Sequence, residues 1–379
     1  MSDGEYTIRS ADAVAALPAG QWDALSDGAN PFMSHAFLSL LEESGSVGGR
    51  SGWQPLPIVA ETAEGVLAGA LPAYVKQHSQ GEYVFDHSWA DAFQRAGGDY
   101  YPKIQIAAPF TPATGPRVLT RNPGLAVPLL QAAEEICRGN GLSSVHATFI
   151  EDGQVELFDR AGWLIRNDIQ FHWERRGYES FEEFLAALSS RKRKDIRKER
   201  ARAHEGLDIR TLTGGDIKSE HWDAFWAFYQ DTGMRKWGTP YLTRAAFTLI
   251  GERMADKVAL VLAFLDGKAV AGALNFIGAR TLFGRYWGAL VDRPFLHFEL
   301  CYHQAIDLAI ALRLDRVEAG AQGGHKLARG YEPVRTTSAH FIPHPGFREA
   351  VADFLERERK GVAQEQFWLG ERTPFRKGS

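Results

Sequence analysis

The sequence has very few cysteines and no long apolar run. Only Cys137 and Cys301 occur among 379 residues, which excludes a framework of disulfides and favours a reducing compartment. No apolar stretch approaches the length that spans a bilayer, and the first residues, MSDGEYTIRS, lack the apolar core of a signal peptide. The sequence therefore predicts a cytoplasmic protein.

The chain also lacks a strong excess of charge of either sign. It has 43 basic and 47 acidic residues, a formal net charge of −4 and a pI near 6.3. This balance argues against a protein whose whole surface coats nucleic acid. With 45% hydrophobic and 24% charged residues the composition is that of a globular protein. A chain of 379 residues predicts two domains rather than one.

One segment departs sharply from this balance. Residues 191–200 read RKRKDIRKER, with seven basic and two acidic side chains and a net charge of +5. The segment continues an amphipathic helical pattern that begins near Phe181, but past Ser190 its only large apolar residue is Ile196. Most of this helix must therefore face water or a ligand. Because the positive excess is larger than internal pairing can neutralise, we expect an anionic partner; the alternative is a solvated helix face.

Three anions fit the basic helix, and the sequence does not separate them. They are the phosphates of an acyl donor (coenzyme A or a carrier-protein phosphopantetheine arm), tRNA, and an anionic membrane surface at which the protein would lie peripherally. The predicted donor- or phosphate-binding residues are Arg191, Lys192, Arg193, Lys194, Arg197 and, from a later loop, Arg329.

The chain contains the same plan twice. Four pairs of segments follow in the same order, shifted by 209, 203, 172 and 168 residues: PFMSHAFLSLLEE with PYLTRAAFTLIGE, VLAGALP with AVAGALN, SSVHATFI with DRVEAGAQ, and Gly162-Trp163 with Gly330-Tyr331. The implied repeat is helix, strand hairpin, strand, helix, strand, helix, strand, which is a mixed α/β layer structure.

This repeat resembles the plan of the GNAT acyltransferases, and its duplication resembles the FemABX aminoacyltransferases. The expected fold class is α/β (α+β), with two tandem GNAT-like domains and mixed central sheets. We place the N-terminal domain at 1–170 and the C-terminal domain, with the basic helix and the active site, at 171–379. FemABX proteins carry a basic helix of the form Lys/Arg-x-x-Ile-Arg-Lys, which residues 194–198 resemble.

Over nearly its whole length the chain resembles the bacterial FemAB-like proteins, described as predicted N-acyltransferases of the peptidoglycan biosynthesis and recognition type. The resemblance is carried by SHAFLSLLEESGSVG, AAPFTPATGPR, RKWGTPYLTR and VEAGAQGGHKLARGYEP. It implies transfer of an acyl group from acyl-CoA or an acyl carrier to a primary amine, such as a long-chain amine or a cell-envelope precursor. Two alternatives stay open: an aminoacyl-tRNA-dependent aminoacyltransferase, and a non-catalytic module that recognises envelope precursors or lipids. No permanently bound cofactor is expected.

The segment VEAGAQGGHKLARGYEP supplies most of the predicted catalytic residues. Glu318 ends an apolar strand, a glycine-rich loop follows, and His325 and Lys326 come next. An acid, an imidazole and an ammonium suit amine deprotonation and oxyanion stabilisation, although a plain glycine-rich turn is the alternative. Glu299 is the second candidate base. FemABX proteins have a functional lysine in a Phe-Lys-x-Gly-Phe-Gly segment here, and both Lys326 and Arg329 are candidate counterparts.

Other segments supply predicted substrate contacts. Arg235, Lys236 and Trp237 offer charge and stacking, Tyr286 and His297 lie where a strand passes into a helix, and Thr114 and Arg117 belong to a proline-rich loop. The Gln/Arg-x-x-Gly-x-Gly/Ala loop of coenzyme A-binding GNAT proteins is absent from the sequence, which favours another donor. His297, Cys301 and His303 lack a complete metal-ligand pattern, so no metal is expected, and Cys301 is expected in the core rather than as a nucleophile.

Overall fold

The computed structural model describes residues 5–236, 240–320 and 323–376. The chain forms two compact units. The first consists of Met1–Asp168 and Arg335–Gln364, and the second of Ile169–Val334 and Glu365–Ser379.

Fifteen strands lie in the described part of the chain. They are β1 (Tyr6–Ser10), β2 (Trp53–Pro55), β3 (Ile58–Thr62), β4 (Leu67–Leu71), β5 (Ala73–Lys76), β6 (Lys103–Ile106), β7 (Leu119–Thr120), β8 (Val145–Ile150), β9 (Leu164–Glu174), β10 (Asp208–Thr213), β11 (Val258–Leu265), β12 (Lys268–Ile277), β13 (Thr281–Ala289), β14 (Arg316–Glu318) and β15 (Glu332–Phe341).

Twelve α-helices lie in the same part of the chain. They are α1 (Ala19–Ala24), α2 (His35–Glu43), α3 (His87–Arg95), α4 (Ala126–Gly139), α5 (Asp152–Arg160), α6 (Phe181–Ala187), α7 (Ser190–Ala203), α8 (Ser219–Lys236), α9 (Arg244–Arg253), α10 (Leu296–Phe298), α11 (Gln304–Ala311) and α12 (Pro345–Gly370). A π-helical turn, Glu299–His303, joins α10 to α11, and a 3-10 helix covers Gly324–Arg329.

The first unit has two sheets. A four-stranded sheet has the order β1-β3-β4-β7, and a second runs β15-β8-β6-β5-β2, in which β6 and β8 are parallel and the other neighbours antiparallel. The apolar core includes Ile104, Val145 and Leu129, all fully buried. Most of β15 and of α12 completes this unit, because β15 pairs with β8 and Phe347 of α12 packs beside Trp89.

That return of the chain makes the observed units differ from the predicted domain limits. The prediction assigned all of 171–379 to the second domain, whereas 335–364 belong to the first unit. The physical reason is the antiparallel ladder between β15 and β8, in which His340 pairs with His146. Partner choice between distant strands depends on long-range packing, which a periodicity argument does not contain.

A buried ion cluster lies in the first unit. Lys103 is fully buried, and its Nζ lies 2.8 Å from Glu82 Oε2 and 2.5 Å from Asp86 Oδ2. Burial would raise the pKa of Asp86, but Lys103 and its neighbours hold the pKa of that carboxyl well below its usual range. Burial raises the pKa of Glu82 to about 7. Tyr100 donates to Asp86 at 2.6 Å, so the cluster is held by hydrogen bonds as well as charge.

The second unit has strand order β10-β11-β12-β13-β14-β9, with β13 and β14 parallel and the other neighbours antiparallel. Trp173, Phe184 and Leu188 are among the buried residues of one apolar cluster, and Val261 and Leu300 of another.

The repeated segments adopt the same elements in both units. PFMSHAFLSLLEE and PYLTRAAFTLIGE form α2 and α9. Each helix is capped by a hydroxyl, because Ser34 accepts a hydrogen bond from Phe37 N and Thr243 from Ala246 N, both at 3.2 Å. VLAGALP contains β4 and AVAGALN lies within β12, each the second strand of an antiparallel hairpin. β8 and β14 each pair in parallel with an earlier strand.

Candidate functional site

A small cavity opens in the second unit where the pairing of β13 with β14 ends. The two strands pair only over Thr281–Phe283 and Arg316–Glu318. Beyond that point, side chains of β12, β13 and the helical segment after β13 surround a volume of about 100 Å³. Its wall includes Asn275, Arg285, Tyr286, His297, Cys301 and Tyr302. The structure thus brings together Tyr286 and His297, two of the predicted substrate contacts.

A β-bulge shapes the wall of this cavity. Leu274 pairs with Tyr286 and Asn275 with Gly284, so Arg285 is the extra residue on β13. A Cβ atom at Gly284 would lie 3.4 Å from Asn275 Oδ1, a tight contact, so glycine leaves room beside the amide. Asn275 therefore lies opposite Gly284, which has no side chain to fill the space beside the amide.

Asn275 carries two unused hydrogen-bonding groups. Its side chain is 1% exposed, and neither Oδ1 nor Nδ2 has a partner among the residues that the structure describes. Burying an amide without partners is costly, on the order of 1–3 kcal/mol. Such a residue in the wall of a cavity is typical of a site that completes its hydrogen bonds with a ligand.

Lys326 lies in the same region and is 1% exposed. Burial lowers the pKa of Lys326 to about 7; Cys301, which lines the cavity, acts in the opposite direction, and Arg285 lowers the pKa further. Its Nζ donates to the carbonyl of Gly320 at 2.9 Å. A lysine with this pKa is substantially neutral at physiological pH, which an exposed lysine is not.

His325 is tied to the cavity through Tyr302. The Tyr302 hydroxyl and His325 Nε2 lie 2.8 Å apart, and the His325 ring stands 6.2 Å from that of His297. Burial raises the pKa of Tyr302, so the phenol keeps its proton at neutral pH. Gly323 has φ of +121°, and a Cβ there would come within 2.6 Å of the His325 ring, so a glycine is required for this imidazole position.

Glu318 lies at the end of β14, where the pairing stops. It is 4% exposed and is opposite Phe283 of β13 and His172 of β9. Burial lowers the pKa of His172 to about 3, so this neighbour is neutral. The structure therefore places Glu318 next to Ala319, which lines the cavity, and its catalytic role stays a prediction.

Glu299, the second predicted base, lies elsewhere. It is fully buried in the π-helical turn and accepts hydrogen bonds from Arg200 Nη2 at 3.0 Å and His204 Nε2 at 2.9 Å. Burial alone would raise the pKa of Glu299, but Arg200 and the other partners bring it below its ordinary value. Its carboxylate fixes the turn to α7 and does not line the cavity, so the catalytic role of Glu299 stays a prediction without support from the geometry of this cavity.

Arg329, predicted to bind phosphate, is also engaged. It is 6% exposed, its Nε and Nη2 donate to the Glu199 carboxylate at 3.1 and 2.9 Å, and its guanidinium lies 3.4 Å from the centre of the Phe298 ring. Phosphate binding by Arg329 therefore stays a prediction, and the observed partner of its guanidinium is the Glu199 carboxylate. The basic segment itself supplies this acid, the half-buried Glu199, and Arg329 neutralises it.

Of the remaining predicted substrate contacts, those that the structure describes do not line the cavity. Arg235 pairs with Asp231 and donates to the Ala289 carbonyl at 2.8 Å. Trp237 and the Lys236 side chain lie outside the described residues. Arg117, in the first unit, is fully buried and donates to the carbonyls of Thr148 and Ala113 at 2.7 and 2.8 Å.

Thr114 lies in the same proline-rich loop. Its carbonyl accepts a hydrogen bond from Asn30 Nδ2 at 2.9 Å. Hydrogen bonds from Arg117 and Asn30 thus hold the proline-rich loop in place, and the Arg117 guanidinium donates to backbone carbonyls of its own unit. A substrate contact of Arg117 stays a prediction.

Two residues of the site were missed by sequence reasoning. Asn275 ends the apolar run AVAGALN, where an amide among small apolar residues was the available signal. Tyr302 lies between Cys301 and His303 in a run that reads as an amphipathic helix. The π-helical turn changes which side chains face inward, and helical periodicity does not reveal that change.

Within residues 5–236, 240–320 and 323–376, His, Cys, Asp and Glu side chains nowhere gather in threes that could hold a metal ion. Across the same ranges, no helix combines the length and apolar character needed to cross a bilayer.

Comparison with known proteins agrees with this architecture. The model of the FemAB-like family, described as peptidoglycan biosynthesis/recognition, matches residues 13–377. Among curated proteins none matches the chain. FemX is 11% identical with a TM-score of 0.56, covering 92% of this chain and 100% of FemX.

Two further solved structures are similar. The C-terminal domain of a putative lysylphosphatidylglycerol synthetase from Agrobacterium fabrum is 11% identical, with a TM-score of 0.52 and coverage of 84% and 90%. A tandem GNAT protein from the clavulanic acid biosynthesis pathway is 13% identical, with a TM-score of 0.45 and coverage of 90% and 99%. At these identities the likeness is one of fold. The predicted family and the predicted α/β fold class are confirmed.

Proposed function

The chain belongs to the FemAB-like family, and from this premise we propose that it is an N-acyltransferase whose reaction takes place at the cavity of the second unit. The observation that carries the proposal is the buried, unpartnered amide of Asn275 in the wall of a cavity close to Lys326, a lysine with a pKa of about 7. Family membership supports an acyl or aminoacyl transferase in cell-envelope synthesis. The donor and acceptor that follow are our proposal.

The donor is an acyl thioester, acyl-CoA or an acylated carrier protein. Its carbonyl oxygen lies within reach of Asn275 Nδ2, which lacks an acceptor among the described residues. As the carbonyl becomes tetrahedral, negative charge develops on this oxygen, and a preorganised amide donor in a buried site stabilises it. Because the Asn275 amide is already positioned to donate its hydrogen bond, little reorganisation of the site accompanies the reaction.

The acceptor is a primary amine, such as a long-chain amine or an envelope precursor. An ammonium must lose a proton before it can attack, and Lys326 in its neutral form is the base we propose, because a pKa near the working pH is best suited to proton transfer. The amine nitrogen then bonds to the carbonyl carbon, the carbon–sulfur bond breaks, and the departing sulfur takes up a proton. Thioester and amine thus become amide and thiol.

Glu318, His325 and Tyr302 have supporting roles in this proposal. Tyr302 and His325 share a hydrogen bond at 2.8 Å and stand where a proton can pass to the departing sulfur. Glu318 at the strand end orients the incoming amine through its charge. The Glu299 carboxylate acts only through the π-helical turn that carries Tyr302.

The experiment uses the purified full-length protein. It is incubated separately with radiolabelled acyl-CoA and with aminoacyl-tRNA, each together with a long-chain amine or an envelope precursor. We expect label to pass from acyl-CoA to the amine, with a loss of roughly 10²-fold or more in Lys326→Met and Asn275→Leu. Lys257→Met is the control, because Lys257 is an exposed surface residue paired with Asp256.

Each other outcome contradicts the proposal in a different way. Transfer only from aminoacyl-tRNA identifies an aminoacyltransferase. Binding of an envelope precursor without transfer from either donor identifies a recognition module. Full activity in both cavity variants places the reaction elsewhere in the molecule.

A further inference from the structure

The basic helix α7 presents most of its charge to solvent. Ile196 and Ala203 are buried, and Glu199 and Arg200 face inward to Arg329 and Glu299. Arg197 pairs with Glu182. Six further cations have no acidic partner among the described residues: Arg191, Lys192, Arg193, Lys194, Lys198 and Arg202. One side of α7 is therefore structural, and the other carries these six cations beside a single exposed acid, Asp195.

The first four of these cations lie at the less favourable end of the helix. No acidic residue occupies the first turn of α7, where the helix dipole favours negative charge and opposes positive charge. Arg191, Lys192, Arg193 and Lys194 follow one another there and repel each other as well. A sequence selected only for helix stability would not keep this arrangement, so an anion is expected to bind it.

An exposed aromatic pair lies at the end of α12. The side chains of Phe367 and Trp368 are 63% and 55% exposed, and their ring centres are 5.8 Å apart at an interplanar angle of 75°. Leu369, the next residue, is turned the other way and packs on the apolar cluster that contains Leu188 and Ile196. Leu369 thus anchors the helix end and leaves the two aromatic rings facing out.

The tail after α12 fixes this aromatic end to the start of α7. Ser189 N donates to the Pro374 carbonyl at 2.9 Å, Arg376 N donates to the Ala187 carbonyl at 3.1 Å, and Leu188 forms a β-bridge with Phe375. All of these residues belong to the second unit. The backbone contacts of the tail therefore hold the end of α12, with its aromatic pair, near the basic first turn of α7.

We propose that this surface, formed by Arg191–Lys194, Lys198, Arg202, Phe367 and Trp368, docks the protein on an anionic lipid bilayer. Clustered cations on a helix attract acidic headgroups, while tryptophan and phenylalanine side chains enter the interfacial layer beside them. Charge or apolar insertion alone gives weak attachment, and the two together give stable attachment. The cations of α7 and the aromatic pair of α12 together supply both the charge and the apolar insertion.

The geometry favours a bilayer over RNA. Bases of a single strand stack on aromatic faces that can be approached in parallel. Phe367 and Trp368 stand at 75° to each other, so they do not form a platform for successive bases. An interfacial layer requires no common orientation of the two rings.

The test is sedimentation of the full-length protein with vesicles of phosphatidylcholine alone and of phosphatidylcholine mixed with phosphatidylglycerol. We expect binding only to the anionic vesicles, weakening with added salt. Replacing Arg191, Lys192, Arg193 and Lys194 with Gln should lower vesicle affinity at least about 10-fold and make the salt dependence shallower. Phe367→Ala combined with Trp368→Ala should lower affinity several-fold and leave the salt dependence unchanged.

Two matched control variants test whether vesicle binding depends on this surface or on exposed cations and aromatic rings in general. Phe85→Ala removes an aromatic ring that is 51% exposed in the first unit. Replacing Arg50, Arg95, Lys268 and Arg313 with Gln removes four exposed cations outside α7. Both controls should bind like the unaltered protein, and all variants should keep its melting temperature within a few degrees.

Three results would overturn the inference: no binding of the unaltered protein to anionic vesicles, binding equally reduced in the controls, or binding unchanged in both surface variants. A fourth is preferential binding of bulk tRNA that is lost in the α7 variant and kept in the aromatic variant, which would assign the surface to RNA. Acyl transfer to a water-soluble amine does not depend on docking. Loss of that activity would therefore concern the proposed reaction and not this surface.

Discussion

Arg200 donates two hydrogen bonds to the Glu299 carboxylate, from Nε to Oε2 at 3.2 Å and from Nη2 to Oε1 at 3.0 Å. It lies in the most basic segment of the chain, and its side chain points inward. The same guanidinium reaches Asp307 at 2.6 Å and lies 4.2 Å from the centre of the Phe181 ring. Glu299 begins the π-helical turn that presents Cys301 and Tyr302 to the cavity. The basic helix therefore stabilises the π-helical turn that contributes Cys301 and Tyr302 to the wall of the cavity.

Replacing Arg200 should be far more costly than replacing its neighbour. Arg200→Met leaves the fully buried Glu299 carboxylate without its main counter-charge, and we expect a loss of about 3 kcal/mol in the free energy of unfolding. Arg197→Met breaks only an exposed pair with Glu182 and should change stability by less than about 0.5 kcal/mol. Urea unfolding of both variants measures the difference. Equal effects would mean that the Arg200–Glu299 contact adds nothing.

The ion cluster of the first unit gives a second stability prediction. Lys103→Met leaves the Glu82 and Asp86 carboxylates buried without the ammonium that contacts both, so we expect destabilisation by about 3–5 kcal/mol. Lys360→Met is the matched control, since its pair with Glu356 is largely exposed, and it should change stability by less than about 0.5 kcal/mol. Thermal unfolding followed by circular dichroism distinguishes the two. A Lys103 variant as stable as the control would contradict the prediction.

Asn275 should show opposite effects on stability and on ligand binding. Asn275→Leu removes a buried amide that has no partner in the described structure, so the protein should become more stable by about 1 kcal/mol. Asn30, whose amide bonds to Thr114 O and Phe32 N, is the comparison, because Asn30→Leu should destabilise. Calorimetry measures stability, and titration with acyl-CoA measures binding, which Asn275→Leu should weaken. Destabilisation by Asn275→Leu would show that the amide is satisfied.

The rate of transfer should follow the ionisation of Lys326. Burial lowers the pKa of Lys326 to about 7; a base must be unprotonated, so activity should rise as pH passes through about 7 and then level off. Lys326→Arg keeps a positive charge but has no neutral form in this range, so it should lose activity at every pH. A pH profile of kcat/KM provides the measurement. Activity that falls above pH 7 and survives in Lys326→Arg would instead assign a cationic, oxyanion-binding role.

The sequence by itself determined the local plan of both units. Alternating apolar runs around short turns predicted the hairpins that contain β4 and β12, and a hydroxyl followed by an amphipathic run predicted α2 and α9. These features depend on neighbours a few residues apart, which is why periodicity and capping residues reveal them. The placing of Glu318 at a strand end and of His297 and Tyr286 near one site followed from the same local reasoning.

The tertiary structure alone decided which charged side chains form internal ion pairs and which have no oppositely charged partner among the described residues. Glu199, Arg200 and Arg329 read as parts of a basic surface and a loop, yet they neutralise buried partners far away in the chain. The unpartnered state of Asn275 and the return of 335–364 to the first unit likewise depend on contacts between distant segments. A side chain's pKa, exposure and hydrogen bonds are set by whatever packs against it, and that packing exists only after the strands have chosen their partners.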